Sequence, residues 1–143
     1  MAKLTSEKLV EIMQPYLEPG EQVISCAYGM QQPSWGLIIP LMIVAIVPGA
    51  ITQALLTKYY MAALTNRRIL FFNCTSGRKI KEIIEYRPGA LPPANISKGA
   101  IFAVLKVEDP RGPLRVKFHR SAIANNREQA VVIGNAFGAK LAA

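Results

Sequence analysis

Residues 22–57 carry no charged side chain, and this uncharged stretch constrains the fold more than any other feature of the chain. Its centre, residues 36–56, is almost wholly apolar. A helix of that length extends about 31 Å, which is close to the thickness of one hydrocarbon core. Because a chain of 143 residues builds only one modest core of its own, the stretch predicts a membrane segment at residues 36–57.

Two proline positions leave the shape of this segment open. Pro40 and the Pro48-Gly49 pair each kink or end a helix, because proline removes a backbone donor and clashes with the preceding turn. One arrangement is a single kinked transmembrane helix. A second is a short helical hairpin, about residues 36–47 and 50–57, that dips into one leaflet. Two full spans would need about 40 residues and do not fit. The alternative without a membrane is a buried helical hairpin inside a soluble oligomer.

The basic residues are concentrated after the apolar segment. The chain has a formal net charge of +8; residues 1–35 contribute −2, and residues 57–143, with 15 basic and 5 acidic side chains, contribute +10. The positive-inside rule predicts a membrane-associated protein whose folded domain faces the cytoplasm. Anionic lipid attracts such a domain by about 1 kcal/mol per nearby cation. Basicity also suits nucleic acid, but no strand interleaves aromatic and basic side chains, which disfavours that partner.

A short amphipathic helix is predicted at residues 6–17, within an N-terminal region of residues 1–20. Its apolar face can pack on the domain, lie in the membrane interface or contact a second copy of the chain. The face consists of Leu9, Ile12, Met13, Tyr16 and Leu17.

Periodicity predicts one strand before the apolar segment and a run of strands after it. The expected strands are residues 21–30, 59–64, 68–73, 79–86, 100–107 and 114–119. The short polar turns between the later strands are typical of an antiparallel meander. A final helix, capped by Asn125 or Asn126, has an apolar stripe that can cover the sheet. The stripe consists of Ala130, Ile133, Phe137 and Leu141.

Two short motifs flank these strands. Glu18-Pro-Gly-Glu21-Gln-Val leads into the first strand, and the segment from Tyr59 to Phe72 reads Tyr-Tyr-Met-Ala-Ala-Leu-Thr-Asn-Arg-Arg-Ile-Leu-Phe-Phe. An apolar strand, then Leu-Thr-Asn-Arg-Arg, then a second apolar strand resembles the bacterial pleckstrin-homology-like (PH-like) families. The resemblance covers about residues 18–138.

The resemblance implies an α+β, mainly β fold. This is a PH-like antiparallel barrel or sandwich over residues 21–142, with a C-terminal capping helix and a short N-terminal helix. The apolar helical hairpin or span at residues 36–57 interrupts it. The resemblance also implies a non-enzymatic module that binds anionic lipid or a protein partner and self-assembles into a homo-oligomer. If residues 21–30 pair with residues 59–72, both ends of the apolar segment lie on one side of the membrane, which favours the hairpin.

Basic and aromatic side chains supply the candidate site. The candidates for contact with lipid head groups are Lys58, Arg67, Arg68, Arg78 and Lys79, because arginine can direct two donors at one phosphate. The candidate membrane-interface anchors are Trp35, Tyr59 and Tyr60. The structural alternative is that Arg67 and Arg68 support the turn by pairing with Glu82 or Glu85. For Arg78 and Lys79, the structural alternative is that they lie on a solvated strand edge, where their charge resists pairing with another strand.

The sequence offers no set of residues for catalysis or metal binding. His119 is the single histidine, Cys26 and Cys74 lack metal-ligand spacing, and no glycine-rich phosphate loop precedes a helix. We therefore expect a non-enzymatic protein without metal or cofactor. The first functional hypothesis is a membrane-attached PH-like module that binds lipid or protein and oligomerises. The second is a structural or scaffold subunit of a larger complex with other membrane proteins.

Overall fold

The computed structural model describes residues 4–31, 57–75, 77 and 79–138. Residues 36–56 of the predicted membrane segment, together with Trp35 and Arg78, lie outside the described residues. Within the described ranges, no helix combines the length and the apolar composition needed to cross a bilayer.

In the described ranges, two helices flank a run of strands. They are α1 (Ser6–Met13), β1 (Val23–Gln31), β2 (Lys58–Thr65), β3 (Ile69–Cys74), β4 (Ile80–Tyr86), β5 (Ala94–Lys98), β6 (Phe102–Val107), β7 (Leu114–His119) and α2 (Asn126–Gly138). A short 3-10 turn, Gln14–Tyr16, extends α1. The fold is therefore α+β and mainly β, as predicted.

All seven strands belong to one antiparallel sheet in the order β4-β3-β2-β1-β7-β6-β5. The strands β1–β4 form one meander and β5–β7 form another, and β1 joins them by pairing Met30 with Lys117. The sheet is curled, since the hydroxyl of Tyr86 on the edge strand β4 reaches Asp109, which follows β6 on the far side of the sheet, and donates a 2.7 Å hydrogen bond to it. A curled sheet with a C-terminal helix packed on it is consistent with a PH-like fold.

The strands β2 and β3 are buried on both faces because each face has its own cover. The inner face packs against α2, where Ile133 and Phe137 meet Phe71. The outer face packs against α1, whose Leu9 and Met13 are fully buried. Both strands carry apolar side chains at nearly every position rather than at every second one. This pattern is typical of strands that are buried on both faces. Of the three roles open to the N-terminal helix, packing on the domain is the one observed.

Side chains of the helix α2 form hydrogen bonds with main-chain groups of β1, as a neighbouring strand would. Asn126 is fully buried; its side-chain amide accepts from the Tyr28 N–H at 2.9 Å and donates to the Tyr28 and His119 carbonyls at 2.8 and 2.7 Å. One turn later, Gln129 Oε1 accepts from the Cys26 N–H at 3.0 Å. These two side chains satisfy main-chain groups of β1 where β7 diverges from it.

Gly29 allows β1 and β7 to approach closely. A Cβ atom at this position would lie 2.6 Å from Cγ1 of Val116 and 2.8 Å from the carbonyl oxygen of Lys117. The second contact is with main chain, which cannot move aside. We expect Gly29→Ala to lower the free energy of unfolding by about 1–3 kcal/mol, as overpacking does. Urea denaturation measures this. Gly138→Ala, where a Cβ meets nothing within 4 Å, is the matched control, and equal stability of the two variants would contradict the prediction.

Candidate functional site

The two ends of residues 32–56, which we call the insert, are held side by side. Gln31, the last residue of β1, pairs with Lys58, the first residue of β2. Residues opposite each other in an antiparallel pair have Cα atoms about 5 Å apart. The turn between β3 and β4 lies at the same end of the sheet, because Tyr59 pairs with Cys74. The expected pairing of residues 21–30 with 59–72 is thus confirmed for β1 and β2.

Lys58 and Lys79 place positive charge beside the insert. Both side chains are exposed, and neither forms an ion pair with any acidic residue that the structure describes. The turn that carries Lys79 is fixed by its N–H, which donates to Oγ1 of Thr75 at 3.1 Å, and by its carbonyl, which accepts from the Thr75 N–H at 2.9 Å. Two of the five candidate lipid contacts therefore flank the point where the insert begins and ends.

Arg67 and Arg68 lie at the opposite end of β2. The strand runs from Lys58 to Thr65, which separates its ends by about 24 Å at the usual rise per residue. The candidate head-group contacts therefore divide into two groups at opposite ends of one strand. Only Lys58 and Lys79, among the candidates described, share the end that carries the insert.

Arg68 is the centre of a buried ion-pair network. Its Nε and Nη2 donate to the two carboxylate oxygens of Glu21, each at 2.9 Å, and its Nη1 pairs with Glu85. Its Nη2 also donates to the Tyr16 carbonyl at 3.2 Å. Glu21 and Arg68 are 5% and 8% exposed. The Thr65 hydroxyl completes the network by donating to Glu21 at 2.6 Å.

The two motifs on which the PH-like resemblance rests are therefore in contact. Asn66 of the second motif exchanges two hydrogen bonds with Gln22, at 2.9 and 3.1 Å, and its amide donates to the Gly20 carbonyl at 3.4 Å. The structural alternative for Arg68, pairing with Glu85, is observed, whereas pairing with Glu82 is not. Sequence reasoning missed Glu21 as the principal partner, although that residue belongs to the first motif. Arg67 is exposed.

The network depends on Glu21 being ionised. Burial raises the pKa of the Glu21 carboxyl group, but hydrogen bonds from Arg68 and Thr65 lower it by more, and the pKa falls from 4.5 to about 2. A carboxyl group whose pKa is lower in the folded state stabilises the fold above its unfolded pKa. That contribution is lost as the pH falls through the folded pKa.

Acid is expected to destabilise the protein through this group. We expect Glu21 to contribute about 3 kcal/mol to the free energy of unfolding at neutral pH, and to lose this contribution between about pH 5 and pH 2. Urea unfolding at a series of pH values across that range measures the loss. Glu21→Gln should flatten the dependence, whereas Glu11→Gln, at an exposed position, should leave it unchanged. A slope that survives Glu21→Gln would refute this assignment.

The two described candidate anchors lie on opposite faces of β2. Tyr60 is 2% exposed and packs edge-on against Phe71 in the inner core, with ring centroids 6.4 Å apart. Tyr59 is half-buried on the outer face and stacks on Tyr28 at 6.5 Å. Tyr60 therefore belongs to the core of the domain, and Tyr59 is the anchor candidate that reaches the surface.

An aspartate that the sequence analysis did not single out organises the loop between β6 and β7. Asp109 accepts hydrogen bonds from Tyr86 and, at 2.8–3.1 Å, from the backbone and guanidinium of Arg111. The bonds from Arg111 hold the pKa of Asp109 well below its usual range. Grooves of about 400 and 200 Å³ flank this cluster. The smaller one also contacts Lys58 and Glu82. Because opposite charges are mixed in it, neither sign dominates.

The cysteines do not pair with each other. Both are buried; Cys26 lies opposite Ala63 and Cys74 opposite Tyr59, so they are four strand positions apart on different strands. That separation, about 13 Å along the strand, exceeds the reach of a disulfide. Across the described ranges, no group of three or more histidine, cysteine, aspartate or glutamate side chains could hold a metal ion.

Comparison with known proteins gives no match: no family model fits the chain, and no curated protein or solved structure is significantly similar to it.

Proposed function

We propose that this protein is a non-enzymatic, membrane-attached PH-like module in which the apolar segment at residues 36–57 enters a bilayer and the folded domain binds anionic lipid at its surface. One observation carries the proposal. Gln31 and Lys58 are paired, so the segment leaves and rejoins the sheet at a single point. A hairpin that enters one leaflet satisfies this constraint without separating the two strands.

The charges around that point support lipid as the ligand. Lys58 and Lys79 are exposed beside the insert, and each cation near an anionic surface contributes about 1 kcal/mol of attraction. Neither arginine of the turn enters the proposal: the guanidinium of Arg68 is buried against Glu21, and Arg67 lies at the end of β2 that is remote from the insert. Tyr59, which reaches the outer face, fits the role of an interfacial anchor. Membership of the bacterial PH-like families, self-assembly and a cytoplasmic position of the domain belong to the same proposal.

The test is membrane fractionation with an alkaline carbonate wash, followed by thiol labelling of Lys3→Cys and Ala143→Cys variants in intact cells. The native cysteines are buried, so labelling reports the introduced ones. We expect the protein to stay in the membrane fraction and both positions to be protected from an impermeant reagent. Labelling of only one end would indicate a single span. Release of the protein by the wash would refute membrane insertion.

The same preparation distinguishes the alternative, a scaffold subunit of a larger membrane complex. Flotation of the purified full chain with phosphatidylcholine vesicles, with and without phosphatidylserine, measures lipid preference. We expect stronger binding to the anionic vesicles, weakened by salt. Equal binding to both vesicles, with stable co-purification of other membrane proteins, would favour the scaffold.

A further inference from the structure

In the part of the chain that the structure describes, no helix lies over the outer face of β6 and β7. The helix α1 packs on the outer face of β1–β3, and α2 packs on the inner core. We call the outer face of β6 and β7 the β6–β7 face. It consists of Phe102, Val104, Lys106, Arg115, Lys117 and His119.

This face carries positive charge that the described part of the chain does not neutralise. Lys106 and Arg115 are directly opposite each other in the β6–β7 pair. Like charges in that position repel. Lys117 is two residues from Arg115, on the same side of β7. Among the residues that the structure describes, no carboxylate lies within ion-pair distance of these three cations. Such an arrangement is complementary to an extended anionic surface.

The β6–β7 face is continuous with the point where the insert leaves the sheet. The side-chain carbonyl of Gln31, the last described residue before the insert, accepts a 2.8 Å hydrogen bond from the Arg115 N–H. The neighbouring residue Met30 pairs with Lys117. The last described residues before the insert are therefore in direct contact with the Arg115–Lys117 stretch of β7.

We propose that the β6–β7 face lies against the anionic head groups of the leaflet that the apolar segment enters, and so fixes the orientation of the domain on the membrane. The inference rests on the proposed function, since it needs a membrane at the insert. It assigns the main lipid contact to Lys106, Arg115 and Lys117, none of which is among the head-group candidates taken from the sequence.

The aromatic contacts on this face favour a bilayer over a nucleic acid. A single strand stacks its bases on open aromatic rings. Here the ammonium group of Lys117 lies over the Phe102 ring, 5.7 Å from its centroid, and the His119 ring meets Phe102 edge-on at 5.1 Å. Phe102 is 37% exposed. It offers apolar area to the head-group region, while its contacts with Lys117 and His119 compete with the stacking of a base on the ring.

The first test compares two double charge reversals in the full chain. Lys106→Glu with Arg115→Glu changes the proposed contact, whereas Lys8→Glu with Arg67→Glu makes the same change in net charge on other surfaces. Binding is measured by flotation with vesicles of phosphatidylcholine alone or with about 30% phosphatidylserine. We expect the first variant to lose at least about tenfold in partitioning to anionic vesicles, and the control to lose less than about threefold. Circular dichroism verifies that both variants are folded.

A second measurement removes only one of the three positive charges of the face. A single environment-sensitive fluorophore is attached at Lys106→Cys or, as control, at Arg67→Cys; Cys26 and Cys74 are buried and do not compete. We expect blue-shifted emission and quenching by brominated lipid at position 106 only. Equal signals at the two positions would overturn the orientation that we propose.

The remaining outcomes separate this inference from the proposed function. Failure of the native chain to float with any vesicle would refute membrane attachment itself. Flotation with both vesicles, unchanged by the reversal at Lys106 and Arg115, would refute the role of the β6–β7 face but leave membrane attachment standing. If the reversal abolished binding of a labelled single-stranded oligonucleotide and spared vesicle binding, the face would be a nucleic-acid surface instead.

Discussion

Replacement of Arg68 with methionine is expected to lower the free energy of unfolding by about 3–5 kcal/mol, the usual effect of removing one partner of a buried ion pair. Methionine preserves much of the side-chain volume, so the loss is chiefly electrostatic. The substitution leaves the Glu21 carboxylate, which is 5% exposed, without its bidentate partner. It also frees Glu85 and the Tyr16 carbonyl from their bonds to the guanidinium. Urea or thermal denaturation measures the effect.

The neighbouring residue provides the control. Arg67 has the same chemistry and lies in the same turn, but it is exposed, so Arg67→Met should change stability by less than about 0.5 kcal/mol. Adding Glu21→Gln to Arg68→Met removes the stranded charge and should recover part of the loss, because neighbouring substitutions in one network are not additive. Equal effects of Arg67→Met and Arg68→Met would show that the network does not stabilise the fold.

Replacement of Asn126 with alanine is expected to cost about 4 kcal/mol, because it removes three hydrogen bonds to main-chain groups of two strands. Alanine is the better helix former, so helix propensity works against the expected loss. The change should also loosen the contact between α2 and β1. Hydrogen exchange should then show faster exchange of the Tyr28 amide, together with a lower denaturation midpoint.

Asn135→Ala on the same helix separates this effect from helix propensity. Asn135 is exposed, so the substitution should be neutral or slightly stabilising. A loss at Asn126 no larger than about 1 kcal/mol would mean that water replaces the amide between β1 and β7, and that the apolar stripe and the bond from Gln129 suffice to hold the helix.

Much of the sheet could be predicted from the sequence because most strands alternate clearly or are bounded by turn residues. β1–β4, β6 and β7 were all expected within a few residues of their observed bounds. The strand β5 was missed. Its sequence, Ala-Asn-Ile-Ser-Lys, has a single large apolar side chain, Ile96, which packs against Gly134 of α2. This strand therefore forms because of its tertiary packing, and its local sequence pattern does not indicate a strand.

The candidate site was harder to predict, because charge and aromaticity do not reveal burial. Arg67 and Arg68 are adjacent in sequence, yet one is exposed and the other forms an ion pair with a residue 47 positions away. Tyr59 and Tyr60 both resemble interfacial anchors, but strand alternation sends them to opposite faces, where Tyr60 is buried in the inner core and Tyr59 stays half-buried. In each case, contacts with residues distant in the sequence determine whether the side chain is buried. Within the motif Thr-Asn-Arg-Arg, Thr65 and Arg68 therefore stabilise the turn through their bonds to Glu21 and to each other.

The pairing of Gln31 with Lys58 has a consequence for how such a chain can change over time. Because β1 and β2 pair at the two ends of the insert, the insert connects two neighbouring strands in the way that a hairpin loop does. The entropy of loop closure grows only with the logarithm of loop length. Residues 32–56 can therefore be lengthened, shortened or exchanged with little effect on the register of the seven strands. Variation in the insert is therefore nearly independent of selection for a stable sheet. With the insert in a bilayer, as we propose, one scaffold could adapt to hydrophobic layers of different thickness.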